Sequence, residues 1–289
     1  MSHLLVRAIT FQALPVELYS EYQGEAKAFG DLTNTLMSQV DEILHNTGVS
    51  AHDITRHFLC STMVELPMTT GKISWQQISE KMRKAGAQYP DTFVNAYECA
   101  SWGYSLRHYL KHQHRTGKSD ASSRFLMVSI IDANVYNLEF WRYNEHWEHS
   151  GFGITTLLLE VTGELTDELT IMSAATHNSM AEFATVVRRT ATKKTHSTLA
   201  MPFFPENIQT MFTNLLGGKS RLPDLHADWG HCFGSDPWLS ILTHALDNPI
   251  NAPTSFLACS LALNGYFALA EVVVTPATQL LLKKEWSNE

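Results

Sequence analysis

Four apolar runs of strand length constrain the fold of this chain most: "RFLMVSIIDAN" (124–134), "GFGITTLLLEV" (151–161), "TSFLACSLALNG" (254–265) and "GYFALAEVVVT" (265–275). Each is almost continuously apolar rather than alternating, which is the pattern of strands covered on both faces. Stretches of helical periodicity lie elsewhere along the chain, and doubly covered strands with helices to cover them require a layered α/β fold. The runs also come in two pairs. In each pair an apolar strand is followed, directly or after a loop, by glycine and a second apolar strand, which reads as an antiparallel pair at a sheet edge.

The order of elements leading to each pair repeats weakly, with a period of about 140 residues. The first half runs from a strand at 4–14 to a helix at 29–48, whose Leu32, Leu36, Val40, Ile43 and Leu44 recur at helical spacing and whose Gly48 suits a C-cap. A strand (54–63), a helix (74–86), the strand-like "TFVNAYE" and a helix from Cys99 to about His114 follow, then a polar turn at 115–123. The second half has a strand at 168–177, helices at 206–216 and 236–245, and no evident counterpart of the third strand. A boundary near residue 162 divides the chain into 1–162 and 163–289, two halves of one structural unit.

A length of 289 residues at 44% hydrophobic content supports a core of that size. The net charge of −8, with no basic stripe interleaved with aromatics, excludes a nucleic-acid surface. The N-terminus lacks a basic leader, and the longest apolar stretch is broken by Asn264, Gly265 and Glu271, so no signal peptide or membrane span is expected and the protein reads as cytoplasmic. Cys60, Cys99, Cys232 and Cys259 form no C-x-x-C pair and read as free thiols.

"FVNAYECASWGYSL" (93–106) resembles the nucleophile segment of the ketoacyl synthase III family, with an apolar strand, a cysteine, and a helix of small and aromatic residues. "SGFGITTLLLEV" (150–161) resembles that family's glycine-rich turn and strand, and "SFLACSLALNGYFALAEVVV" its closing hairpin. "PFFPENIQTMFTNLL" (202–216) and "DWGHCFGSDPWLSIL" (228–242) fall where the family has a histidine segment ending in asparagine and a glycine–asparagine turn. The resemblance implies a thiolase-like fold, two pseudo-repeated halves stacked in five layers (αβαβα). It also implies a dimer, and chemistry on acyl groups carried as thioesters on coenzyme A or an acyl carrier protein. The carrier's pantetheine arm is then part of the substrate and no separate cofactor is implied.

From spacing alone, Cys99 reads as one more small buried residue. The resemblance makes it the nucleophile, and a helix N-terminus is expected to favour its thiolate. His231 stands where the family has asparagine and is the expected base or oxyanion donor. Asn207 is a candidate for orienting the thioester, and Gly151 and Gly153 for a tight backbone turn near the site. Aligning Asn207 with the family's asparagine puts Phe204 in the place of the other active-site histidine, and sliding by one puts Phe203 there. Phenylalanine donates no hydrogen bond, and losing such a donor to a thioester enolate costs about 3 kcal/mol. Three readings follow. The protein is an acyltransferase of a specialised pathway such as polyketide biosynthesis, a modified carbon–carbon condensing enzyme, or a non-catalytic partner in a heterodimer with a related synthase.

His108 and His112 lie four apart on a helical stretch, and His146 and His149 three apart, but neither pair has a third ligand in a defined relation, so no metal is expected. The aromatic cluster "FWRYNEHW" (140–147) suits either the roof of a substrate tunnel, a dimer contact or a loop packed on the core.

Overall fold

The computed structural model describes residues 3–16, 25–64, 74–115, 124–162 and 169–285. The polar turn expected at 115–123 lies outside them but for its first residue, as does the side chain of His112. The strands are β1 (His3–Leu14), β2 (Ile54–Cys60), β3 (Thr92–Val94), β4 (Arg124–Asp132), β5 (Tyr143–Asn144), β6 (Glu148–His149), β7 (Phe152–Thr162), β8 (Leu169–Ser173), β9 (Thr198–Ala200), β10 (Thr254–Leu261) and β11 (Tyr266–Lys283). The helices are α1 (Glu25–Thr47), α2 (Trp75–Lys84), α3 (Ser101–Arg115), α4 (Glu139–Arg142), α5 (Ser179–Lys193), α6 (Glu206–Leu216), α7 (His226–Trp229) and α8 (Asp236–Asp247). No helix among the described residues is long and apolar enough to cross a membrane.

Alternation along the buried strands sorts their side chains into layers. On β4, Leu126, Val128 and Ile130 face a central cluster that also holds Trp102 and Leu106 of α3 and Trp238 and Leu242 of α8. Met127 and Ile131, on the opposite face, pack with Leu32, Leu36 and Val40 of α1 and Ile78 and Met82 of α2. On β11, Ala268, Ala270 and Val272 face the same central cluster, whereas Phe267 and Leu269 pack with Phe183 and Val187 of α5 and Phe212 of α6. The fold is therefore α1 and α2, a first sheet, α3 and α8, a second sheet, then α5 and α6, the five layers of a thiolase-like architecture.

The repeat extends to the strand order. In the first half β1–β7–β4–β2 run antiparallel, antiparallel and parallel, with β3 beyond, and in the second β8–β11–β10–β9 do the same. Beyond β9, where β3 would have its counterpart, a single parallel bridge joins Leu199 to Arg221. The second half also contains α5, the counterpart of α1, and β9, neither of which was expected from the sequence. The paired strands need a correction too. They lie inside the ladder rather than at its edges, because its path ends on the three-residue strands β3 and β9 and the short β8 branches from β11. Short edges leave little unpaired backbone. The 18-residue β11 pairs with β8 and β10 through its first part and with β1 through its second, so one continuous ladder joins the two sheets.

Candidate functional site

The two central helices begin in matching turns. A 3-10 turn, Glu98–Ala100, precedes α3, and another, Phe233–Ser235, precedes α8. Each opens on a non-glycine residue with positive φ, Glu98 at 44° and Phe233 at 52°. Such a backbone costs about 1–2 kcal/mol per residue and persists where surrounding contacts hold it. Glu98 accepts the Asn264 amide at 3.2 Å, from the β10–β11 hairpin, and Phe233 is packed edge-on by Trp141, Trp147 and His231. Gly234 takes the position equivalent to Cys99, and a Cβ added there would lie 3.5 Å from the Cys99 carbonyl. The matching turns thus meet across the interface of the halves.

A cavity of about 180 Å³ opens beside them, lined from the first half by Thr62, Cys99, His146 and Trp147, and from the second by Phe204, His231, Phe233, Ser179, Met180 and the residues 261–263. Cys99 is 4% exposed, and its Sγ accepts a hydrogen bond from the Thr62 hydroxyl at 3.7 Å. Burial pushes the Cys99 thiol well above its usual range, and the carboxylates of Asp132, Glu98 and Asp236 push the same way against the Thr62 bond. The expected thiolate at a helix N-terminus is therefore corrected. The amides of Ala100 and Ser101 are spent on the carbonyls of Tyr97 and Glu98, and the surrounding charge is negative, so the surroundings favour the thiol over the thiolate.

His231 lines the same cavity as Cys99. Its Nδ1 lies 3.0 Å from the Phe203 carbonyl and 2.8 Å from Asp236 Oδ2, both acceptors, so Nδ1 carries the hydrogen. Nε2 is the nitrogen with no protein partner among the described residues, and His231 lines the cavity. Asp236 is itself fixed, for its Oδ2 also accepts the Phe203 amide at 2.9 Å and its Oδ1 the Cys232 amide at 2.6 Å. Burial would lower the basicity of His231, but the charge and hydrogen bond of Asp236 and the Phe203 carbonyl outweigh it, and the ring is a stronger base than free imidazole.

Of the two phenylalanines, Phe204 lines the cavity and stacks on His231 at 5.9 Å between ring centroids. Phe203 is buried in the central cluster and acts through its backbone, holding His231 and Asp236. Asn207 does not join the site: it is exposed on α6, its Oδ1 accepts the Ile208 amide, and it is not among the cavity-lining residues. Asp132 and Asp236 were not singled out in the sequence. Asp132 closes β4 and accepts the Thr62 amide at 2.8 Å and the Gly234 amide at 3.2 Å, bridging the two halves beneath Cys99. Burial pushes its carboxyl up to about 7 against those two bonds.

Gly151 and Gly153 support the site from behind. The Gly151 amide donates to the His231 carbonyl and the His231 amide to the His149 carbonyl, both at 3.0 Å. A Cβ on Gly151 would overlap the Trp229 carbonyl and come within 2.6 Å of Cys232 Sγ, and one on Gly153 would overlap the Phe11 ring. Gly151→Ala is expected to lower stability by about 2–3 kcal/mol through backbone overlap, read as a lower urea midpoint with unchanged slope.

Among solved structures the chain is similar to the acyltransferase ChlB3 (TM-score 0.70, 11% identity, 95% of this chain and 99% of that one). It is similar also to the priming β-ketosynthase of the R1128 polyketide biosynthetic pathway (0.64, 9%, 94% and 96%). A third is the 3-oxoacyl-(acyl carrier protein) synthase III of Pseudomonas aeruginosa PAO1 (0.62, 8%, 94% and 98%). No family model and no curated protein matches the sequence. The chain has the ketoacyl synthase III fold, a thiolase-like fold shared by condensing enzymes and acyltransferases of polyketide and fatty-acid pathways.

Proposed function

We propose that this chain is an acyltransferase: Cys99 takes an acyl group from a coenzyme A or acyl-carrier-protein thioester and passes it to an oxygen or nitrogen nucleophile. The observation that carries this reading is His231, held with Nδ1 on Asp236 and the Phe203 carbonyl in a cavity that also contains Cys99. In the first half-reaction Nε2 takes the thiol proton, Sγ attacks the thioester carbonyl, and the tetrahedral intermediate expels the pantetheine thiolate, which recovers the proton from His231. In the second, Nε2 takes the acceptor's proton, the acceptor attacks the acyl-enzyme, and the departing Cys99 sulfur is reprotonated.

Phe204 favours transfer to a heteroatom over carbon–carbon condensation, because it brings a ring without a hydrogen-bond donor to the cavity. A heteroatom acceptor forms no enolate and has no need of that donor. The cavity volume, equal to about six water-sized groups, favours a short acyl chain. We propose a dimer, with a second copy of this chain or a related ketoacyl synthase as partner, and acyl-CoA or an acyl carrier protein as the acyl donor.

The non-catalytic partner reading draws on one observation, the burial of Cys99 near the carboxylates of Asp132, Glu98 and Asp236, which favours the unreactive thiol. Intact-mass spectrometry after incubation with a panel of acyl-CoA and acyl-carrier thioesters separates the two. Acyl transfer predicts a mass gain equal to the acyl group in the unmutated protein and none in Cys99→Ala. No adduct from any donor on the folded protein selects the partner subunit.

A further inference from the structure

We propose that Glu148, His149 and His226 form a zinc-type divalent metal site on the shoulder of the cavity, separate from the acyl chemistry. The carboxylate and imidazole ligand atoms of these residues all lie within 4.8 Å of one another. Two imidazoles and a carboxylate are a common donor set for zinc, with a fourth position left for water. At zinc–ligand lengths of about 2.0–2.1 Å, tetrahedral ligand atoms stand about 3.3 Å apart, so the group has to close by at most about 1.5 Å. Glu148 and His149 are exposed and free to make that adjustment, whereas His226 is buried and fixed.

The fixed member already has the tautomer that a metal requires. His226 Nε2 lies 2.6 Å from the Trp147 carbonyl, and a carbonyl only accepts, so Nε2 carries the hydrogen. Nδ1 is therefore the lone-pair nitrogen, and it has no protein partner among the described residues. A ligand histidine typically shows this arrangement, one nitrogen on the metal and the other N–H on a backbone carbonyl that sets the ring's orientation. The His149 ring lies 4.5 Å from that of His226 at 57°, a tilt that lets both rings address one point rather than stack.

The ligands come from segments that sequence separates and the fold brings together, β6 and α7, and both hold His231. The His231 amide donates to the His149 carbonyl, and α7 ends at Gly230, where a Cβ would lie 2.9 Å from the His149 ring. A metal here would pin the loop that carries Trp147 to the turn that carries His231, fixing the cavity wall without touching substrate.

The test uses tag-free protein stripped with a chelator and titrated with Zn²⁺ by calorimetry, with Co²⁺ as a spectroscopic probe. One equivalent of zinc, a tetrahedral cobalt absorption band and a rise in Tm of about 5 °C at saturation are expected. Glu148→Gln and His149→Ala, both at exposed positions, should each weaken binding at least about tenfold, while His52→Ala, exposed elsewhere, should not. Absence of stoichiometric zinc binding, or equal affinity in folded His149→Ala, would overturn the proposal.

Discussion

Asp236→Asn is expected to slow acylation of Cys99 by about 10²–10⁴-fold, the range that loss of a correctly oriented general base produces. The carboxylate now accepts from His231 Nδ1 and the Phe203 amide on one oxygen and from the Cys232 amide on the other. An asparagine keeps its one oxygen for one side and presents an NH₂ group to the other. If the oxygen stays on Cys232, the NH₂ faces Nδ1–H, whose remaining acceptor is the Phe203 carbonyl, and the ring loses the carboxylate that orients it and raises its basicity. The buried Phe203 amide also loses its acceptor, at a cost of about 1–3 kcal/mol, so the rate must be measured well below the variant's Tm. A purely structural effect would lower Tm and the rate without moving the pH profile. Loss of a positioning carboxylate instead moves the midpoint of the acylation profile to lower pH, because Asp236 is what raises His231 above ordinary imidazole. An unchanged rate would remove His231 from the base's role.

The parts of this fold that were legible in the sequence are those with a local cause. β4, β7, β10 and β11 are long and covered on both faces, so their apolar runs are continuous, and α1 places Leu32, Leu36, Val40 and Ile43 on one stripe. β9 was not legible because three residues, "TLA", carry no periodicity. α5 did carry a signal, with Phe183, Ala184, Val187 and Ala191 at helical spacing, but "ATVVRRTATK" is rich in β-branched residues and polar breaks that hide it. Cys99 and His231 could be named on the family resemblance, His231 also because it precedes the helix that the repeat pairs with that of Cys99. Their partners could not, because Asp236 reads as an ordinary acidic residue ahead of Pro237 at the start of α8, a common first-turn pattern. Only its complete burial and its three hydrogen-bonded neighbours, drawn from residues 203, 231 and 232, distinguish it. Asp132 left a fainter trace, a lone charge closing the apolar run "FLMVSIID", where a buried strand has no local use for one. Asn207 misled for the opposite reason, since its position in the chain suits the site while its side chain faces solvent.

Asp132 also sets the largest electrostatic obstacle to Cys99, and removing its charge should show it. In Asp132→Asn the thiol loses the strongest of the carboxylates acting on it, and its pKa should fall. Alkylation by a small electrophile at pH 8 should then be about ten- to a hundredfold faster at Cys99, followed by peptide mass spectrometry to exclude Cys60, Cys232 and Cys259. The same substitution changes the pH dependence of folding, with a sign that follows from burial. The Asp132 carboxyl titrates near 7 in the fold against about 3.9 in an unfolded chain, so between those values the folded protein holds a proton that the unfolded chain has released. That contribution is complete below pH 4 and is lost as pH rises towards 7, which makes the wild type less stable at neutral pH by about 4 kcal/mol on this account. Asparagine has no such proton to lose, so its urea midpoint should fall less between pH 5 and 8 than that of the wild type. Its oxygen still accepts from the Thr62 amide but its NH₂ group opposes the Gly234 amide, so a lower midpoint at every pH is compatible with the flatter slope. An unchanged slope together with unchanged Cys99 reactivity would mean that Asp132 is neutral throughout, and that burial alone holds the thiol proton that His231 must take.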